Sequence, residues 1–148
     1  MRRRWAVPIA VLFLALAASA VATASSPFRP GLYLGKTSQG QAVELKVRGC
    51  GKNQCLEGPD NFDIIIEMPC PSINETSEEA LALSGNLITK SGNVNADEEG
   101  FAKVNAKLKV GHNGVVTGKV RATETLEDGA RCDSGNVTLK AKIGGQAK

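Results

Sequence analysis

Apolar and polar residues alternate along most of this chain. From Gln41 to Arg48, Val43, Leu45 and Val47 alternate with Glu44, Lys46 and Arg48. From Phe62 to Met68, Phe62, Ile64, Ile66 and Met68 point one way, and Asp63, Ile65 and Glu67 the other. Val104, Ala106, Leu108 and Val110 oppose Lys103, Asn105, Lys107 and Lys109; Val116, Val120 and Ala122 oppose Thr117, Lys119, Arg121 and Thr123. Near the end, Val137, Leu139, Ala141 and Ile143 oppose Thr138, Lys140 and Lys142. A period of two belongs to a strand with one packed and one wet face. Leu32 to Lys36 and Asn86 to Lys90 are two shorter candidates. Turn signals at Ser38-Gln39-Gly40, Asn113-Gly114, Asp128-Gly129 and Ser134-Gly135 separate the runs, which makes about seven short strands. The pattern predicts an all-β domain over 31–143, a single antiparallel β-sandwich or open barrel.

One stretch breaks the pattern. In Pro71 to Leu83, Thr76 or Ser77 can cap a short helix through Glu78-Glu79-Ala80-Leu81-Ala82-Leu83, with acidic residues in its first turn. A strand holding Leu81 and Leu83 is the alternative; a short helix or irregular loop is the expectation.

The N-terminus follows a different logic. Arg2, Arg3 and Arg4 precede an apolar run from Trp5 to Ala18, and Ala22-Thr23-Ala24 forms a small-residue cleavage site. That is the build of a secretory signal peptide over 1–24, removed on export. Retention as a membrane anchor is the alternative, since the run approaches the length needed to cross a bilayer. A flexible start over 25–30 and a frayed C-terminus over 144–148 are expected around the domain.

Removing the leader changes the charge argument. The full chain carries 18 Lys and Arg against 15 Asp and Glu. The three arginines of the leader account for the whole excess, and the leader also holds the only Trp, Trp5. The remaining domain is neutral, so net charge gives no argument for nucleic acid. Charge is nonetheless segregated: basic residues dominate up to Leu56 and again after Gly100, and acidic residues dominate between them. Lys103, Lys107, Lys109, Lys119, Arg121, Lys140 and Lys142 all fall on the wet positions of their strands. They form one basic face if those strands are neighbours, suited to an anionic envelope polymer or an acidic protein. The plainer alternative is that such lysines keep the sheet soluble and guard its edges.

Four cysteines, Cys50, Cys55, Cys70 and Cys132, follow the leader in a compartment that permits disulfides. Three pairings are open. Cys50 with Cys55 and Cys70 with Cys132 is favoured, because the first staples a loop tip and the second closes a long loop. The short stapled segment, Lys52-Asn53-Gln54, could project as a binding loop, since a rigid loop loses less entropy on binding.

Catalytic chemistry finds little support. Structural zinc lacks a C-x-x-C pair and has one histidine to draw on, His112 in an Asn-Gly turn. Asp60, Asp63, Glu67, Asp97, Glu98 and Glu99 lack the spacing of a calcium loop. Asp133-Ser134-Gly135 has the letters around a serine nucleophile without a base to serve it. Glu44, Asp63 and Glu67 could supply paired carboxylates for glycoside hydrolysis, but aromatic platforms for sugar are scarce. Asn74-Glu75-Thr76 and Asn136-Val137-Thr138 are glycosylation sequons by pattern. No catalytic residue, metal ligand or cofactor is assigned.

Gly31-Leu32-Tyr33-Leu34-Gly35-Lys36-Thr37-Ser38-Gln39-Gly40, a cysteine at a mid-chain strand end, and Cys132-Asp133-Ser134-Gly135 before the final strand together resemble small exported β-sandwich domains of actinobacteria. The resemblance spans most of Gly31 to Ile143. It implies an exported β-sandwich, supports Cys70–Cys132, and brings no catalytic residue, as the family has no assigned activity. The extra Cys50 and Cys55, and the absence of an aromatic in the last strand, depart from it. The expected function is an exported, monomeric, non-enzymatic binding module acting at the cell surface or outside. Its partner would be a protein or an anionic envelope polymer, with membrane contact only through an uncleaved leader. Inhibition of an extracellular hydrolase through the Cys50–Cys55 loop is the alternative, and an undetected hydrolase the second.

Overall fold

The computed structural model describes residues 27–58 and 64–144. The expected leader over 1–24, residues 25 and 26, Asp60, Phe62, Asp63 and the last four residues lie outside them. The described residues form eleven strands: β1 (Gly31–Thr37), β2 (Ala42–Cys50), β3 (Asn53–Glu57), β4 (Ile64–Cys70), β5 (Glu75–Leu81), β6 (Asn86–Ile88), β7 (Asn93–Glu99), β8 (Ala102–Val110), β9 (Val115–Thr125), β10 (Arg131–Asp133) and β11 (Val137–Ile143). The fold is all-β. The main sheet runs β6-β3-β2-β1-β11-β9-β8-β7, with β10 also paired to β9. Every pairing is antiparallel. The two end strands, β6 and β7, are joined by the turn from Thr89 to Gly92 and lie against each other. The sheet therefore curls nearly shut as an open barrel. Strands β4 and β5 make a separate two-stranded sheet packed against β2, β9 and β10.

The alternation in the sequence becomes the inside and outside of this barrel. Val43, Leu45 and Val47 of β2, Val104, Ala106 and Leu108 of β8, and Val137, Leu139 and Ala141 of β11 are all buried in one core. Ile64, Ile66, Met68 and Leu81 of the smaller sheet join it. Tyr33 is wholly buried and its hydroxyl donates to the Arg29 carbonyl at 2.7 Å. Burial raises the Tyr33 pKa above its ordinary value, against the opposing charge of Arg29. Two inward positions must be glycine. A Cβ on Gly35 would lie 1.9 Å from the Lys140 carbonyl oxygen, and one on Gly118 would lie 2.6 Å from the Lys107 oxygen. These bare positions let β1 and β9 approach their neighbours closely.

Strands β10 and β11 continue along the same edge of β9 and are interrupted at Ser134-Gly135-Asn136. Gly135 takes a φ of 63°, which favours glycine. The Ser134 hydroxyl accepts from the Ala122 N–H at 2.9 Å and donates to the Gly135 carbonyl. Just before this break, Cys132 turns inward and bonds Cys70 of β4, tying the small sheet to the barrel across 62 residues of chain. Cys50 bonds Cys55 across the β2–β3 connection.

Two expectations change. The proposed helix over Glu78 to Leu83 is replaced by β5, with Leu83 buried just beyond it. An isolated helix of that length is unstable in water. Pairing with the apolar strand β4, in the register Ile64 to Leu81, satisfies the backbone instead. The strand count rises from about seven to eleven, because β3, β5, β7 and β10 are short or polar and lack a strong alternating signal. Within the segment expected as a flexible start, Phe28 is 2% exposed. The Gln54 amide accepts from its N–H and donates to its carbonyl. The Phe28 ring stacks on His112, with centroids 4.8 Å apart.

Candidate functional site

The outer faces of β7, β8, β9, β11 and β1 form a continuous convex surface, and the pairing register arranges its side chains in rows. One row reads Asn93, Lys109, Thr117, Lys140 and Lys36 across the five strands. The next reads Asn95, Lys107, Lys119 and Thr138. A third reads Asp97, Asn105 and Arg121, and a fourth Glu99, Lys103, Thr123 and Asp133. Lys142 continues β11 beyond the first row, opposite Val115 and Leu34. All seven basic residues expected on the wet face are there, on neighbouring strands. Lys36 joins them from β1.

Electrostatics divides the surface in two. In the third and fourth rows, the Arg121 guanidinium binds Asp133 through two hydrogen bonds of 3.0 and 2.5 Å. Asp133 also accepts from the Gly135 N–H at 2.8 Å. The hydrogen bond from Arg121, then that from Gly135, holds the Asp133 carboxyl below the usual range. Lys103 lies 3.0 Å from Glu99, and Asn105 donates to Asp97. Both cations at this end meet a carboxylate. Among the described residues, Lys36, Lys107, Lys119, Lys140 and Lys142 form no ion pair. Lys109 donates to the Ser91 carbonyl and to the Asn93 side chain. Lys107 faces Lys119 directly, and Lys36 faces Lys140 directly. Like charges in opposed positions of an antiparallel pair are destabilising. The lysine end is thus cationic, ringed by Asn93, Asn95, Thr117 and Thr138, and has no aromatic side chain in these rows.

Other sequence candidates fall into the scaffold. Gln54 of the proposed loop is buried and clamps Phe28, so it offers nothing to a partner. Asn53 already belongs to β3, and the connection between the strands is the two-residue turn Gly51-Lys52. The stapled segment is a tight hairpin and not a projecting loop, because its cysteines sit on paired strands. In the opening motif, the Thr37 hydroxyl accepts from the N–H groups of Gln39 and Gln41. The Gln39 amide donates to the Glu67 carbonyl and accepts from the Glu67 N–H, so one side chain pairs with β4 as a strand would. Glu67 also accepts from Gln41 at 2.7 Å.

Three depressions in the surface give chemistry little to work with. One of ≈ 520 Å³ is lined by Glu99, Glu124 and Asp133 among others. All three carboxylates are already bonded, to Lys103, Ser77 and Arg121 respectively. Two smaller ones, of ≈ 240 and ≈ 350 Å³, lie beside each other on the lysine face and share Lys107 and Gly118. Among the described residues no three His, Cys, Asp or Glu side chains converge as a metal site. The alternation marks the seven basic residues as outward but not Lys36, whose strand is short and whose outward neighbours Leu32 and Leu34 are apolar. Comparison with protein-family models, with curated proteins and with solved structures gives no match.

Proposed function

We propose that this protein is an exported, non-enzymatic binding module whose lysine face holds an anionic polymer of the cell envelope or its surroundings. One observation carries the reading. The unpaired lysines stand on β8, β9, β11 and β1, each hydrogen-bonded to a neighbour on both sides. Lysines that guard a sheet against unwanted pairing belong on edges, and these strands have none to guard. Directly opposed lysines also cost stability, which an anion lying between them would relieve. The leader and the two disulfides fit a role outside the cytoplasm. Inhibition through the Cys50–Cys55 hairpin is less favoured, since Gln54 is buried beneath it.

Retention of the purified protein on an immobilised linear polyanion tests this reading. The wild type should be held at low salt and released as salt rises. A variant carrying Lys107→Glu, Lys119→Glu and Lys140→Glu should flow through. Retention unchanged by both salt and charge reversal would reject the lysine face.

A further inference from the structure

Four of the unpaired lysines, one per strand, form a diagonal line across the barrel: Lys107 on β8, Lys119 on β9, Lys140 on β11 and Lys36 on β1. The first and last pairs are directly opposed, and Lys119 and Lys140 are diagonal neighbours, since Lys119 pairs Thr138 and Lys140 pairs Thr117. Opposed positions lie about 5 Å apart and diagonal ones about 8 Å. The line is therefore about 18 Å long, with a charge on average every ~6 Å. Lys109, Lys142 and Lys103 lie off it.

Resting on the polyanion reading above, we infer that this line is a track for a linear phosphodiester polymer of small polyols, with one phosphate per track lysine. An extended chain advances about 1.2 Å per backbone bond. Phosphates joined through a three-carbon polyol are six bonds apart, or about 7 Å at full stretch. That matches the track with slight slack. Inorganic polyphosphate, with two bonds per charge, is more than twice too dense by the same measure. The neighbouring groups suit the same chemistry. Thr117, Thr138, Asn93 and Asn95 can bond polyol hydroxyls, and the absence of aromatic side chains in these rows leaves nothing to stack a base or a sugar ring.

The test is affinity for synthetic glycerol phosphate oligomers of two to eight phosphates. Affinity should climb steeply up to four phosphates and only gradually beyond. Inorganic polyphosphate of four charges should bind about tenfold more weakly than the matching oligomer. Two variants with equal charge change separate the track from general attraction. Lys36→Gln with Lys107→Gln should lose at least about tenfold in affinity, and Lys103→Gln with Lys142→Gln less than about threefold. Equal losses, no break at four phosphates, or polyphosphate binding as well as the oligomer would overturn the track while leaving a polyanion-binding face. Binding confined to phosphatidylglycerol vesicles would also overturn it. Wild-type protein with no salt-sensitive affinity for any of these probes would overturn the face itself.

Discussion

The two ends of one sheet face treat charge in opposite ways. At the end near Cys132, Arg121 meets Asp133 and Lys103 meets Glu99. At the other end, Lys107 meets Lys119 and Lys36 meets Lys140. Strands β8 and β9 run through both ends and carry the same alternation, so the secondary structure does not set the difference. What differs is the side chain within reach on the neighbouring strand. A cation facing a carboxylate steadies the fold a little. A cation facing another cation is left to attract something from outside.

Substitutions at the matched end should weaken the fold, and those at the lysine end should not. The largest effect lies just beneath the matched end. Replacing Cys70 and Cys132 by Ala opens a closed loop of 62 residues and should cost about 4 kcal/mol. Thermal unfolding should then fall by roughly 15 °C, and a change of only a degree or two would mean that the small sheet is held by packing alone. Asp133→Ala removes the acceptor for both Arg121 and the Gly135 N–H. A loss of about 1 kcal/mol in urea unfolding is expected, mainly from the break between β10 and β11, since water screens the ion pair.

The same pair gives a pH dependence. The Asp133 carboxyl is held below its ordinary value in the fold. Its contribution is therefore complete above the usual Asp range, near about 4, and is lost as pH falls through the depressed value. Arg121→Gln should be less stable than wild type at neutral pH, and the difference should shrink as the pH falls below the usual Asp range. A gap that stays constant with pH would show that Arg121 acts by packing. The smallest effect has the opposite sign: Lys119→Gln relieves the opposed pair and should leave stability equal or raise it by about 0.3 kcal/mol. Clear destabilisation there would end the contrast between the two ends.

The sequence showed this surface only in outline. Val43-Glu44-Leu45-Lys46-Val47 is read as a strand on sight because each residue states its side. Asn93 to Glu99 is not, because its inward residues are Val94, Ala96 and the half-buried Glu98, and its outward ones are Asn and acid. The β5 segment fits a short helix equally well in local terms, and only β4 beside it decides. The seven basic residues were legible as outward, but which of them meet a carboxylate depends on register, which local pattern does not contain. Gln54 and Gln39 look like solvent-exposed polar residues in the sequence. Each instead spends its side-chain amide on a backbone segment distant in the chain, Phe28 for one and Glu67 for the other.

Differential labelling of lysine amines, read by mass spectrometry with and without a glycerol phosphate polymer, tests the central claim most directly. The account predicts protection of Lys36, Lys107, Lys119 and Lys140 by the polymer. Lys52 and Lys90, in the turns after β2 and β6, and the ion-paired Lys103 should label at unchanged rates. Uniform protection of all lysines, or protection centred on Lys52 and Lys90, would contradict it.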